Sequence, residues 1–272
     1  MPPSSVGVDP QPVIELREAS KRLSAGVKEV KTAFTNLSLT VNRGDRLGLF
    51  GVNGYESTTL LDCLCGVDQL DAGAMEQYAS VSWPVGSNEA FSSKLSGFSN
   101  ARFAAEIYSQ PGCIEGDLRF IQELACLPDV VFHKPISTWE GSQKNLLKLA
   151  VSLAFEFDVL AVGKINAWDF RSVEPESLRI RELFERRIEG RTMVMAAAGQ
   201  NKLALEYCDE GLALVDGVLV YRGDPEVCLQ LVKEESQRQK NERRDRVNAR
   251  IQRLIEQGAI EPDDVDSADQ AA

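Results

Sequence analysis

Residues 46–61 read RLGLFGVNGYESTTLL and place an apolar run, a glycine-bearing turn and the beginning of a helix in succession. The apolar run predicts a strand over Arg46–Phe50, and a helix is predicted over Thr58–Cys65. A phosphate-binding loop lies in this setting and has the pattern G-x-x-x-x-G-K-[ST]. The segment therefore predicts a fold of the phosphate-loop type. Its loop positions are Gly51, Asn53, Gly54, Glu56, Ser57, Thr58 and Thr59.

Two chemically decisive positions of this loop depart from the pattern. Glu56 stands where a second glycine would let backbone N–H groups close on a phosphate, and Ser57 stands in place of the lysine. An anion site built from a helix N-terminus and one ammonium has thus lost its cation and gained a carboxylate. A carboxylate is itself favoured at the positive end of a helix. We therefore expect the Glu56 side chain to fill the site.

Outward from the loop, strands alternate with helices from Val13 to about Asp224. This alternation predicts an α/β fold with a mostly parallel sheet. The pair Asp216-Gly217 between two apolar runs predicts a hairpin. The predicted strands are Val13–Glu18, Leu37–Val41, Arg46–Phe50, Ala79–Trp83, Phe157–Val162, Thr192–Ala197, Gly211–Val215 and Val218–Tyr221. The predicted helices are Thr58–Cys65, Phe98–Tyr108, Glu115–Cys126, Gln143–Phe155 and Pro175–Ile188.

The two ends of the chain differ in character from this core. Residues 1–11 predict a disordered N-terminus, residues 12–224 the folded domain, and residues 259–272 an acidic disordered tail. Between them, 225–258 predicts a long charged helix, Glu226–Gln257, with basic residues from Lys233 to Arg253. A solvated helix face, a coiled-coil contact and a contact with anionic lipid are all consistent with that pattern. The helix also has a narrow apolar stripe of Val247, Ile251, Leu254 and Ile255.

Composition excludes several classes of function. The hydrophobic fraction of 43% is that of a soluble globular protein, and the net charge of −11 argues against nucleic-acid binding. No apolar run approaches the ~20 residues of a membrane span, and the first residues lack a signal-peptide pattern. The six cysteines do not form a metal pattern, so no metal site is expected. We expect a cytoplasmic chain, which can also lie peripherally at the inner face of the cell membrane.

The longer run GVNGYESTTLLDCLCGVDQLDAG, with VSWPVGSNEAF and LSGFSNARFAAEIY after it, carries a resemblance. It resembles the ATP-binding subunits of capsular-polysaccharide exporters, a branch of the ABC transporter family, over roughly residues 13–222. The resemblance implies a P-loop-type ABC ATPase core with an antiparallel β subdomain and an α-helical subdomain at about 84–142. It also implies a homo- or heterodimer with an ABC ATPase-type chain and a polytopic membrane permease as a further partner. The family meets its permease with the loop Trp83–Phe91 and the helices up to about Cys126.

The family's other ATP motifs fall on altered residues. Its signature loop falls on Trp139-Glu140-Gly141-Ser142-Gln143, where Glu140 replaces a serine that would bind a γ-phosphate across a dimer. Its magnesium-organising Asp falls on Gly163, its catalytic Glu on Lys164 and its switch histidine on Gly199. Its adenine-stacking aromatic falls near Leu23, and no Gln lies between residues 77 and 110.

These changes decide the expected function. Phosphoryl transfer is catalysed by positioning and charge stabilisation, and the groups that supply both are missing. We therefore expect a pseudo-ATPase rather than an enzyme, with no bound cofactor, acting as a scaffold or regulatory subunit in glycan export or assembly. The alternative is a genuine transporter subunit that binds ATP with magnesium and uses it weakly or only with a partner. Two further hypotheses concern side chains. Glu56 and Lys164 form an ion pair or both point to solvent. Trp83 and Trp139 are core or dimer-face residues, and the alternative is that they are ligand platforms.

Overall fold

Two β-sheets organise the chain, whose computed structural model describes residues 11–25, 29–86, 91–165 and 170–257. The first sheet is antiparallel, with strand order β2-β1-β4, and the second has five strands in the order β5-β6-β3-β7-β8. The strands are β1 Pro12–Ala25, β2 Glu29–Asn42, β3 Arg46–Gly51, β4 Ala72–Gln77, β5 Val159–Val162, β6 Thr192–Ala196, β7 Glu210–Val215 and β8 Val218–Gly223.

Eight α-helices lie in the described residues, together with a short 3₁₀ turn at Ile136–Thr138. We number them in chain order. They are α1 Gly54–Leu64, α2 Gly97–Tyr108, α3 Ile114–Leu124, α4 Asp129–Phe132, α5 Gly141–Ala154, α6 Pro175–Ile188, α7 Asn201–Tyr207 and α8 Pro225–Glu256.

The five-stranded sheet confirms the predicted mostly parallel core. β3 lies between β6 and β7 and is parallel to both, and β5 is parallel to β6. β5 and β6 are buried along their whole length, as apolar strands covered on both faces should be. The antiparallel β8 returns through the predicted hairpin, where Asp216 and Gly217 both take positive φ (50° and 77°).

This topology gathers the sequence motifs at one place. In a parallel sheet the carboxyl ends of the strands share an edge, where ligands of α/β proteins bind. β3 ends at Gly51, β5 at Val162 and β6 at Ala196. The loop after β3, the pair Gly163-Lys164 and the turn before Gly199 therefore leave the sheet side by side.

Helix α1 lies between the two sheets and explains why so much of it is apolar. Its residues Leu60, Leu61 and Leu64 are buried in one core with residues of β1, β2 and β3. A second core lies on the other face of the large sheet and extends into α2, α3 and α5. Because α1 packs against strands of both sheets in the first core, the position of the loop that precedes it is fixed.

Several predicted elements differ from the structure. The strand predicted at Ala79–Trp83 is wrong: only isolated bridges join Val81 to Val159 and Val85 to Val162. Pro84 has no N–H to donate, so a continuous ladder beside β5 cannot form there. β4, α4 and α7 are additional elements, and β1 and β2 are each longer than predicted.

The C-terminal helix α8 confirms the predicted long helix, with Asp224 as its N-cap accepting from the Glu226 backbone N–H at 2.7 Å. Only Cys228, Leu229 and Val232 are buried, and these three fix its first turns to the core. The predicted tail 259–272 and residues 1–10 of the predicted disordered N-terminus lie outside the described residues. None of the helices in the described part of the chain is both long and apolar enough to cross a bilayer.

Candidate functional site

The Glu56 carboxylate lies inside the loop between β3 and α1. The backbone N–H of Asn53 donates to Glu56 Oε2 at 2.8 Å, and the backbone N–H of Gly217 donates to Oε1 at 3.0 Å. A Cβ built on Gly51 would lie 2.9 Å from the same Oε2, so the loop closes around the carboxylate. Glu56 is fully buried, and it forms a capping box with Asn53 at the N-terminus of α1. The expectation that Glu56 fills the site with its own side chain is confirmed.

The hydroxyl groups of Ser57 and Thr58 are used within their own helix. Ser57 Oγ donates to the carbonyl of Gly54 at 3.2 Å, and Thr58 Oγ1 donates to the same carbonyl at 3.2 Å. Ser57 is 1% exposed. The loop therefore presents neither an ammonium nor an outward hydroxyl where the pattern would place a lysine.

Burial governs the protonation of Glu56. Removal from water disfavours its charged form and raises the pKa of the carboxyl group. The hydrogen bonds from the Asn53 and Gly217 backbones oppose this shift, because they favour the ionised form. The carboxyl group is thus bound at both oxygens, yet its ionisation is held back by its surroundings.

Replacing Glu56 by glutamine is expected to cost ~1–3 kcal/mol of unfolding free energy, since one amide N–H loses its acceptor. The cost should be larger near pH 5 than near pH 8. A raised folded-state pKa stabilises the native protein fully below the unfolded pKa, and this contribution is lost as pH rises through the folded pKa. Glutamine does not titrate. Both proteins are unfolded with urea across pH, and their unfolding free energies are subtracted. The contributions of the other carboxyl groups cancel in this difference. A difference that grows with pH would contradict the argument.

The predicted ion pair between Glu56 and Lys164 is wrong. Both residues are described, and the two oxygens of Glu56 are bound by backbone N–H groups instead. Lys164 is exposed, and its Cε lies 3.9 Å from the position that a Cβ on Gly199 would take. Glu56 is held in the buried loop by its two backbone partners, whereas Lys164 remains at the surface. The alternative that both point to solvent holds only for Lys164.

The backbone at Gly163 is packed against the segment before it. Its N–H donates to the carbonyl of Val85 at 3.0 Å. A Cβ on Gly163 would lie 3.0 Å from Pro84 Cβ and 3.1 Å from the Val85 oxygen, so any side chain there meets crowded space.

Gln200 is a site residue that the sequence reasoning missed. It is 3% exposed and follows the switch position Gly199 directly. Its Nε2 donates to the carbonyls of Gly163 and of Ala196, at 2.5 and 2.7 Å, and its Oε1 accepts from the Ile165 N–H at 3.0 Å. This one amide ties the ends of β5 and β6 together. The signal available in the sequence is this polar residue shortly after the apolar run of β6.

A small cavity remains beside the loop, with a volume of about 230 Å³. Its walls include Gly51 and Gly54 from the loop, Gly199, and Val232 and Lys233 from α8. Typical small-molecule pockets measure ~300–1,000 Å³, so this one is small. No group of three or more metal-ligating side chains occurs among the described residues.

Comparison with known proteins identifies the chain's relatives. No family model matches it. The ATP-binding protein BexA of Haemophilus influenzae is 29% identical over 206 residues, which cover 75% of this chain and 91% of BexA. The polysialic acid transport ATP-binding protein KpsT of Escherichia coli is 28% identical over 188 residues, 69% of this chain and 81% of KpsT. The capsule polysaccharide export ATP-binding protein CtrD of Neisseria meningitidis serogroup B is also 28% identical, over 69% of this chain and 83% of CtrD.

Solved structures give the same fold. One is a dimeric ATP-binding cassette in a post-hydrolysis state, bound to ADP and Pi. Its TM-score is 0.63 at 14% identity, and the match covers 78% of this chain and 98% of that cassette. The dimeric structure of a bacterial ABC transporter cassette has a TM-score of 0.61 at 16% identity, with the same coverage of both chains. This chain is a homologue of the polysaccharide-export ABC ATP-binding proteins. It has the ABC ATPase fold.

In this ABC homologue the signature segment lies at the N-terminus of α5. Glu140 is the exposed N-cap and forms a capping box with Gln143, whose Oε1 accepts from the Glu140 N–H at 3.2 Å. Gly141 and Ser142 are exposed beside it. The homologue thus presents a carboxylate at the surface position where the family pattern has a serine.

Trp83 and Trp139 of the ABC homologue differ in how deeply they are buried. Trp139 is 6% exposed, and its ring lies against Gly97, where a Cβ would come within 2.3 Å of it. Trp83 is half-buried, packs on Tyr108 with ring centroids 4.9 Å apart, and donates from Nε1 to Ser152 Oγ at 3.1 Å. The core interpretation therefore holds for Trp139, and Trp83 lies at the core boundary. Leu23, near which the family's aromatic position was expected, is partly buried against the β1–β3 core.

Proposed function

We propose that this ABC homologue is a non-hydrolysing pseudo-ATPase of the capsular-polysaccharide exporter type, acting as a scaffold or regulatory subunit in glycan export or assembly. The observation that carries the proposal is the Glu56 carboxylate inside the phosphate loop, bound by two backbone N–H groups. A nucleotide phosphate would need those loop amides and would meet a buried carboxyl group with no loop cation beside it. The loop already holds an internal acidic ligand.

The remaining positions of the site support the same conclusion. Enzymes of this chemistry hold magnesium with carboxylates and stabilise the transferring phosphoryl group with charged donors. Gly163 supplies no carboxylate, Lys164 no base, and Gly199 no side chain at all. Removing a single stabilising donor costs ~10²–10³ in rate in other enzymes. The combined loss leaves no groups for hydrolysis, and we propose that the chain needs neither ATP nor magnesium.

The outer face of α2 supports a role in protein contacts. Phe103 and Ile107 lie four residues apart on one helix face and are 62% and 56% exposed. A contiguous exposed apolar face marks an interaction surface in soluble proteins. We propose that it meets a membrane permease or a related partner, which would place the protein peripherally at the inner face of the cell membrane.

The solved cassettes named above are dimers, and we propose that this chain pairs with an ABC ATPase-type chain in the same way. Glu140 would then lie toward the partner's nucleotide. Its carboxylate would oppose a γ-phosphate, because like charges repel most where water is excluded. The pair would be inhibited rather than stimulated.

We expect purified protein to show no ATP turnover, and adding it to an active exporter ATPase to leave the turnover of that ATPase unchanged or lower. The protein alone lacks the catalytic groups, and in a mixed pair its acidic signature would oppose the partner's nucleotide. Phosphate release measured at increasing ratios of the two proteins is the test. Turnover by the protein alone, or a rise in the mixture, would favour the alternative of a genuine ATP-binding subunit with partner-dependent use of ATP.

A matched variant separates inhibition from lack of contact. Glu140→Ser restores the family's serine at an exposed position and leaves the phosphate loop untouched. If the two chains pair, this variant should inhibit less than the unchanged protein. Equal effects of both proteins would mean that Glu140 does not face the partner's nucleotide.

A further inference from the structure

The second half of the C-terminal helix projects beyond the body of the protein. Among the described residues, the last side-chain hydrogen bond from this helix to the body is from Gln239 Nε2 to Asp216 Oδ1, at 3.1 Å. Every residue from Lys240 to Arg250 is exposed, and the helix continues to Glu256. We call Lys240–Glu256 the projecting half; at 1.5 Å per residue it is ~25 Å long.

The projecting half has an apolar stripe. Val247, Ile251 and Leu254 follow one another at spacings of four and three residues, so they lie on one face of the helix, and Ile255 lies beside them. Val247 is 48% exposed and Ile251, Leu254 and Ile255 are half-buried, but within the described residues none of the four packs against either hydrophobic core. An apolar helix face that neither core holds is available to an external surface.

Charge in the projecting half is one-sided. It contains six basic and three acidic residues, a net charge of +3 on a chain of −11. With 3.6 residues per turn, Lys240, Arg243, Arg244 and Arg250 lie within ~90° of the centre of the stripe. The acidic residues Glu242, Asp245 and Glu256 all lie more than ~130° away, on the opposite face. Four of the six basic groups thus border the apolar stripe, Arg246 and Arg253 lie further round the helix, and the acidic groups are on the opposite face.

These basic side chains are available for an outside partner. In the described residues, Arg246 forms an ion pair with Glu242 at 3.5 Å. No ion pair of the described chain involves the basic groups that border the stripe, and their guanidinium and ammonium groups face solvent.

We propose that the projecting half binds an anionic lipid surface, lying in the membrane interface with its stripe inserted and its basic border on the headgroups. An interfacial helix has this combination of a narrow apolar face and flanking Lys and Arg. A coiled coil with a second copy fits less well. Extending the heptad from Ile251 and Val247 toward the N-terminus places Arg244 and Lys240 at core positions, whereas a coiled coil needs apolar residues there over three to four heptads.

The experiment uses the full-length protein and vesicles that contain no permease. Phosphatidylcholine vesicles are compared with mixed phosphatidylcholine–phosphatidylglycerol vesicles by sedimentation. We expect at least about tenfold stronger binding to the anionic vesicles, falling as salt is raised. Equal binding to both vesicle types, or binding to neither, overturns the proposal. The result does not depend on whether the protein binds ATP.

Two variants and one control locate the binding. Arg243→Glu with Arg250→Glu should reduce binding at least about tenfold, and Ile251→Gln with Leu254→Gln should also weaken it. The control, Arg119→Glu with Lys202→Glu, changes the net charge equally at exposed positions elsewhere and should bind as the unchanged protein does. Loss of binding in the control as well, or retention in the first variant, overturns the assignment. Self-association that Ile251→Gln with Leu254→Gln abolishes, without vesicle binding, would assign the stripe to a second copy instead.

Discussion

A chain carrying Glu56→Gly and Ser57→Lys is expected to bind MgATP at least about a hundredfold more tightly than the unchanged protein. The first change frees the Asn53 N–H and removes a buried carboxylate from the loop. The second restores an ammonium, and a hydrogen bond to a charged group contributes ~1.5–3 kcal/mol, with each 1.4 kcal/mol worth tenfold in affinity. Titration calorimetry measures the affinity. Hydrolysis should stay absent, because Gly163, Lys164 and Gly199 are unchanged.

The control is Ser57→Lys alone. It supplies the ammonium while the Glu56 carboxylate still occupies the loop amides, so we expect no comparable gain in affinity. Thermal unfolding of each variant checks that the fold persists, because Glu56→Gly also leaves the Gly217 N–H without its acceptor. Equal ATP affinity in the unchanged protein and the double variant would show that Glu56 does not block the site.

Replacing Trp139 by alanine is expected to lower the free energy of unfolding by ~3–5 kcal/mol. The indole is 6% exposed and fills the space between α2 and the turn before α5, against Gly97 and Phe132. Gly97 has no side chain that could collapse into the cavity left behind. Urea denaturation measures the loss.

Phe103→Ala on the neighbouring helix serves as the comparison, since that ring is 62% exposed. Surface substitutions of this kind usually change stability by less than ~0.5 kcal/mol. A loss for Trp139→Ala no greater than that for Phe103→Ala would mean that the indole belongs to an interface with another chain rather than to the core.

The sequence predicts the elements of this fold best where periodicity is unbroken. β5 and β6 are short apolar runs buried on both faces, and the pattern identifies both. The prediction for β1 stops at Glu18, and that for β2 begins after Asn36. Both residues have positive φ (48° and 49°), and the β1–β2 pairing shifts register in the same region. A bulge resets the alternation of inward and outward side chains, so a period-two search ends there although the strand continues.

At the site, too, the sequence predicts contacts between neighbouring residues but not contacts between residues far apart in the chain. That Glu56 would cap its own helix follows from neighbouring residues, because the helix end attracts a carboxylate. Its second partner, Gly217, lies 161 residues away along the chain, and no spacing rule connects them. This contact turns the carboxylate inward and explains why the proposed pairing with Lys164 fails. Gln200 was missed for the same reason, since its three partners come from two different strand ends.

The packing at Gly163 decides what an aspartate at that position would require. Its Cβ would lie 3.0 Å from Pro84 Cβ and 3.1 Å from the Val85 oxygen, so these neighbours would have to give by a few tenths of an ångström. The residue at 163 and the path of the 84–85 segment are therefore coupled. A substitution at either place changes which side chains the other tolerates.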